Sequence, residues 1–284
     1  MRTLKIILAI LVICGISFFV AKSCIRRIPH PRPAIHRTLP LKQPLITIPQ
    51  KTVEGVTPTV SHPKMAIILD DWGLNYSLTA QVVEIGEPIT LSILPHLKYS
   101  KKIAETAHQN HLGVMLHMPM QPKNTKEHLE PHTILTTTSD KDILIYLDAA
   151  IAAVPYVEGV NNHMGSAATS DIRVMRTVLT HLKKKNLFFV DSFTIKDSQS
   201  PQVAKEIGIP FAKRDVFIDN EPNIPAIKKE LQDAKAVALK KGRAVVIGHD
   251  KKVTLAAIKE MIPELKKAGI ELVLAKDLVD VSHS

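Results

Sequence analysis

The sequence predicts an α/β protein, an incomplete (β/α) barrel of about seven strands or a doubly wound sheet. Three observations predict it. Short, continuously apolar runs recur along residues 65–280, helical patterns lie between them, and polar residues collect where the runs end. Apolar runs without alternation suit strands buried on both faces of a parallel sheet. About seven or eight strand–helix steps in one stretch suit a barrel or a doubly wound sheet.

The strands follow in order. Residues 65–69 form the first and end in Asp70-Asp71; residues 89–94 form the second, ended by Pro95. Residues 113–118 carry His117 and stop at Pro119, and a weaker run, 157–162, leads into His163. Residues 187–190 end in Asp191, and 209–213 with 216–218 make a sixth strand. Residues 244–247 precede Gly248-His249, and 270–274 come last. Four helices are legible. Ser139 opens one with Asp142 at capping-box spacing, followed by Ile143, Leu144, Leu147 and Ile151. Ser170 or Asp171 opens another, with Val174, Val178 and Leu182 on one face. Residues 224–241 and 254–267 give two more, the last closed by Ala268-Gly269. Residues 119–138 show neither period and read as a long loop, a feature more often functional than idle.

The domain plan is 1–24, a signal peptide or membrane anchor; 25–64, a Pro-rich basic linker; and 65–284, the barrel domain. The chain has 284 residues, an apolar fraction of 45% and a net charge of +10. Residues 1–64 hold ten Lys/Arg and one acid, which leaves the rest near neutral and removes the case for a nucleic-acid partner. Arg2 and Lys5 precede an uncharged run, 6–21, of signal-peptide length, which predicts export to the periplasm. Cleavage, and retention as an inner-membrane anchor, both fit this run. Eight prolines and one glycine in residues 25–64 describe an extended spacer whose charge suits anionic lipid or cell-wall polymer. Both cysteines, Cys14 and Cys24, precede the barrel, which excludes disulfides, thiolate zinc sites and cysteine nucleophiles from it.

In parallel α/β folds, sites form at the carboxyl ends of strands. Five predicted strands end in metal-type or acid–base residues: Asp70-Asp71, His117, Asn162-His163, Asp191 and His249. Two imidazoles and a carboxylate with open positions suit one divalent metal ion, zinc foremost. A second carboxylate can take a proton from water, and a further histidine can protonate a leaving group. Nucleotide-binding glycine patterns, a His-Glu-x-x-His pair and a Gly-x-Ser-x-Gly elbow around Ser166 or Ser192 are absent from the sequence.

These residues sit in strings that resemble the divergent polysaccharide deacetylase family, part of the polysaccharide deacetylase superfamily. The strings are residues 67–73 (Ile-Ile-Leu-Asp-Asp-Trp-Gly), 114–120 around His117, and 159–166 (Gly-Val-Asn-Asn-His-Met-Gly-Ser). Residues 188–192, 214–219 and 247–249 complete the set. The resemblance spans about residues 64–280. It implies a barrel with a distorted or missing strand, a Gram-negative-type envelope protein, and removal of N-acetyl groups from a glycan such as peptidoglycan. It further implies Asp70 as general base, Asp71 as metal ligand and His249 as general acid. Asp191 would orient a catalytic partner or bind substrate. The wider superfamily places two metal histidines four residues apart, whereas Gln121 follows His117 at that spacing. We therefore expect His163 to supply the second imidazole. Trp72, beside the aspartates, is a candidate sugar platform, and Asn162 and Ser192 are further candidates for substrate contact. The alternative is a non-catalytic envelope module on the same fold, binding glycan or a cell-envelope protein.

Overall fold

In this computed structural model residues 62–281 are described. The 1–24 segment and most of the 25–64 linker lie outside the described residues.

Among the described residues, nine strands form one all-parallel sheet. They are β1 (Lys64–Trp72), β2 (Ile89–Ile93), β3 (Gly113–Met120), β4 (Gly159–Met164), β5 (Phe188–Asp191), β6 (Phe211–Lys213), β7 (Val216–Phe217), β8 (Arg243–His249) and β9 (Glu271–Val273). Their order is β6-β5-β4-β3-β2-β1-β8-β7, with β9 added to β1. β6 and β7 end this order on opposite sides, yet only Arg214 and Asp215 separate them in the chain. Arg214 N donates to Asp191 O at 3.0 Å, extending the β5 side, and Asp215 N donates to Val245 O at 2.8 Å, extending the β8 side. One kinked segment thus closes the sheet into a distorted barrel. Counted once, it makes seven staves, with β9 as an addition outside the ring.

Seven α-helices cover the outside: α1 (Thr79–Ile85), α2 (Ser100–Gln109), α3 (Asp140–Ala153), α4 (Ile172–Lys184), α5 (Ser200–Ile207), α6 (Ile224–Lys241) and α7 (Lys252–Lys267). Side-chain caps start three of them. Ser139 accepts from Asp142 N, Asp171 accepts from Arg173 N and Val174 N, and Asn223 accepts from Ala226 N. The sequence pattern does not announce α1, α2 or α5. α1 and α5 are two turns long, and α2 packs mostly small residues, Ser100, Ala104 and Ala107, around Ile103. Stretches that short or that small leave little apolar period to find. Residues 119–138 hold no helix, but they are pinned: Met120 bridges Ile134, and the Gln121 side chain accepts from Thr136 N and Oγ1.

Strand side chains alternate between two apolar clusters. On β1, Met65, Ile67 and Leu69 face the helices, whereas Ala66 and Ile68 face the barrel interior with Met115, Val190, Val245 and Ile247. All five β1 residues are fully buried, which accounts for the unbroken apolar run. The interior cluster is much the smaller of the two.

Candidate active site

The inward alternation continues past the apolar interior to the top of the barrel. Ile68 is followed by Asp70, Met115 by His117, Val190 by Ser192, Ala212 by Arg214, and Ile247 by His249. On β4, Asn161 and His163 share one face by the same period. Asp70, His117, His163, Ser192, Arg214 and His249 line one cavity of about 380 Å³ at the carboxyl ends of the strands.

Asp71 breaks the alternation. Its backbone is left-handed (φ 67°), and the β1–β2 register shifts between Leu69 and Trp72. Aspartate tolerates this conformation better than most residues. The irregularity turns two consecutive carboxylates toward the cavity and sends Trp72 outward into the helix-facing core, where it is fully buried. Trp72 is therefore not a sugar platform. A regular strand would have kept its parity with Asp70; the bulge removes it.

Asp71 Oδ1, His117 Nε2 and His163 Nδ1 converge. Asp71 Oδ1 lies 3.3 Å from His117 Nε2 and 3.0 Å from His163 Nδ1, and the two ring nitrogens are 3.1 Å apart. A tetrahedron with bonds of about 2.0 Å, the usual length for zinc with N and O ligands, has edges of about 3.3 Å. Asp71 Oδ1 is buried without a hydrogen-bond partner. A buried carboxylate oxygen flanked by two imidazole nitrogens is a donor set for a divalent ion, so these residues fit one. Among the described residues this is the one group of three such side chains close enough to share an ion.

The electrostatics separate the two aspartates. Burial pushes the Asp70 carboxyl above its ordinary range, opposed by His117 and by a hydrogen bond from Asn161 Nδ2 at 2.8 Å. Burial acts on Asp71 in the same direction, but His117 and His163 override it and hold that carboxyl far below its ordinary range. Burial alone would lower His117; Asp70 and Asp71 instead raise it to about 9, so the cluster favours positive charge at this point. The two adjacent carboxyls are thus driven apart by their surroundings.

His249 lines the same cavity and approaches the other oxygen of Asp71. Its Nε2 lies 3.7 Å from Asp71 Oδ2, while Nδ1 donates to Asp219 Oδ1 at 2.8 Å. Burial would lower the imidazole, but Asp219 raises it above its ordinary value. Asp219 is itself held by His249 N and Thr254 Oγ1, at 3.0 and 2.8 Å on Oδ2.

Two further residues hold strand-end turns. Asn162 lines the cavity, and its polar atoms brace two such turns: Nδ2 donates to Met164 O and Oδ1 accepts from Ser192 N. Asp191 follows inward-facing Val190 and therefore points away from the interior. It is fully buried and accepts from Phe193 N at 2.8 Å and Ser198 Oγ at 2.6 Å, stabilising a turn in which Phe193 is left-handed (φ 51°). Ser192 does line the cavity, and its buried hydroxyl has no partner.

Four contributors carry no chemical signal of their own in the sequence. Asn161 joins Asp70, His117 Nδ1 (2.7 Å) and Ser92 (2.5 Å) in one buried network. Asp219 backs His249. Arg214 lines the cavity. Glu130, from the long loop, stands with Oε1 3.5 Å from His163 Nε2, a buried nitrogen with no hydrogen-bond partner. Parity with His163 was available for Asn161, and Asp219 and Arg214 lie within the 214–219 string; Glu130 had only the length of its loop.

The profile described as divergent polysaccharide deacetylase matches residues 67–279. The uncharacterized protein YibQ of Escherichia coli is 33% identical over 217 residues, covering 76% of this chain and 67% of that protein. Among solved structures, an uncharacterized protein from Agrobacterium tumefaciens superposes with a TM-score of 0.74 at 23% identity, over 78% of this chain and 91% of that one. The catalytic domain of peptidoglycan N-acetylglucosamine deacetylase from Eubacterium rectale superposes with a TM-score of 0.50 at 14% identity, over 84% of this chain and 98% of that one.

Proposed function

The chain belongs to the divergent polysaccharide deacetylase family, and from that membership and its site we propose that it removes N-acetyl groups from an envelope glycan, peptidoglycan or a related polymer. The observation that carries the reading is geometric: Asp71 Oδ1, His117 Nε2 and His163 Nδ1 lie 3.0, 3.1 and 3.3 Å from one another, and Asp70 and His249 line the same cavity. Asp71, His117 and His163 would hold one divalent metal ion, and the donor types favour zinc. When bound, such an ion polarises the acetyl carbonyl and makes water more acidic.

The remaining work belongs to side chains. Asp70, raised and held by Asn161, accepts the proton that water loses as it adds to the carbonyl carbon. His249 starts protonated, with Nδ1 bound to Asp219, and gives its Nε2 proton to the sugar nitrogen as the C–N bond breaks. Water supplies the atoms: hydroxyl goes to the acetyl carbon and hydrogen to the amine, giving acetate and a free amino sugar. Residues 1–24 and 25–64 support export and a tether that reaches glycan from the membrane, with the membrane itself a partner if the segment is retained.

Release of acetate from N-acetylated muropeptides and chito-oligomers, by chelated protein with and without added zinc, tests the proposal. Metal-dependent release is expected. No release in any arm, with glycan still bound, would instead establish the second reading, a non-catalytic glycan- or protein-binding module. That reading draws on Gln121, whose side chain braces the loop at Thr136 where the superfamily has an imidazole.

A further inference from the structure

Arg214 is the one cation of the cavity wall that the deacetylation reading leaves unused. It lies at the crossing from β6 to β7. Its Nε donates to Ser192 O at 2.6 Å and its Nη2 to Phe193 O at 2.9 Å. A guanidinium has five N–H donors in a rigid plane. These two bonds use one edge; of the three donors left, one on Nη1 and one on Nη2 form the edge that matches a carboxylate bidentately. Among the described residues Nη1 has no hydrogen-bond partner and no carboxylate forms an ion pair with Arg214. Asp191 and Asp70 act on it only through their field.

The neighbouring wall offers a second donor in want of an acceptor. Ser192 is 6% exposed, lines the same cavity, and its Oγ has no partner. Its own carbonyl is the one that Arg214 Nε holds, so hydroxyl and guanidinium are fixed to each other by the backbone. The two sides of the cavity therefore differ: aspartates and imidazoles on the β1, β3 and β4 side, donors without acceptors on the β5–β7 side. Uncharged sugar hydroxyls are served by many surfaces. A fixed, half-buried guanidinium without a counterion is not needed for them and favours an anion.

We propose that Arg214 and Ser192 form a carboxylate subsite, and that the glycan acted on carries a carboxylate on the N-acetylated sugar or on its immediate neighbour. The inference rests on the deacetylation reading and narrows its substrate to acidic glycans. Two sources share this chemistry: an ether-linked lactyl acid, as on N-acetylmuramic acid, and a uronic acid next to N-acetylglucosamine.

Equilibrium binding to the full-length, zinc-supplemented protein tests it. The probes are a disaccharide of N-acetylglucosamine and N-acetylmuramic acid, the same disaccharide with its carboxylate converted to an amide, and a disaccharide of glucuronic acid and N-acetylglucosamine. The free acid is expected to bind about tenfold or more tightly than its amide, in line with a charge-assisted bidentate pair. The glucuronate probe identifies which source fits better. Arg214→Gln should abolish the preference for acid over amide, and Arg214→Lys should retain part of it. If Arg214→Gln does not fold, the acid–amide comparison in the unaltered protein and in Arg214→Lys decides. Equal affinity for acid and amide overturns the subsite and leaves deacetylation standing. Absence of binding by every probe removes both.

Discussion

Asp219 accepts the Nδ1 hydrogen of His249 at 2.8 Å, and this bond determines which nitrogen the imidazole presents to the cavity. Nε2 is left facing Asp71, so under the proposed mechanism the transferable proton would sit on the cavity side. Asp219→Asn should keep the ring in place but weaken its hold on positive charge. The pKa of His249 is raised by Asp219, so its loss lowers that pKa. An acid must be protonated to act, so activity falls as pH rises through it. The alkaline limb of kcat/KM should therefore move to lower pH in Asp219→Asn; a limb that stays put would remove His249 from the role.

The same carboxyl sets a stability window. Asp219 is 2% exposed, and although burial opposes it, hydrogen bonding to His249 lowers its pKa to about 2. A group depressed on folding stabilises fully above its unfolded pKa, about 3.9, and loses that contribution as pH falls through the folded value. The size is about 2 kcal/mol. Urea unfolding at a series of pH values should show the native chain losing its advantage over Asp219→Asn between about pH 4 and pH 2.

Asp70 and His117 should separate chemistry from metal. Asp70→Asn should bind zinc as the native protein does, by calorimetry, while acetate release drops roughly 10²–10⁴-fold. His117→Ala should instead lose the ion. Equal loss of zinc from both variants would contradict the division between the two carboxylates.

Glu130 tests the long loop. A carboxylate on the far nitrogen of a metal histidine orients the ring and strengthens it as a ligand, and removing such a partner costs about 10–100-fold in affinity. Glu130→Gln should weaken zinc by this amount and leave the metal-free melting temperature unchanged. A fall in both would mean that Glu130 only holds the loop.

Trp72→Ala should cost about 3–5 kcal/mol, the range for emptying a large buried aromatic site. Trp72→Phe should be much milder, and at a temperature where it is folded it should bind glycan as tightly as the native chain. Lost affinity in a well-folded Trp72→Phe would restore a direct contact.

Most of the barrel is legible because strands buried on both faces are largely apolar, and the runs for β1, β2, β3, β5 and β8 lie at nearly their observed places; 157–162 and 209–213, which include Glu158 and Lys213, are the weaker runs. The helices that escaped are those with too few turns or too small side chains to imprint a period. Within the site, residue chemistry identified Asp71, His117 and His163, which the fold gathers, but it could not rank neighbours. Asn161 and Asn162 are chemically identical, and only parity with His163 separates the one bonded to Asp70 from the one bracing turns. Parity would equally have turned Asp191 away and Ser192 inward. It would have failed at Trp72, because the left-handed turn at Asp71 is a tertiary choice, stabilised by the carboxylate's place between the two imidazoles.

The place of β1 in the sheet governs when the molecule can become whole. β1 is the first strand of the described residues, yet Lys64 pairs with Arg243 and Glu271, and Asp70 pairs with His249. As the chain leaves the ribosome, β2 to β5 can align beside β1 early, but its other flank stays open until residues of β8 and β9 emerge. Such long-range pairing is slow to form. The aspartates are then offered to the cavity before the strand that fixes their geometry exists. A chain truncated before β8 would lack the partner of β1, the imidazole of His249 and one side of the barrel's seam together. Incomplete copies should therefore fail as folded proteins rather than persist as defective binders of metal.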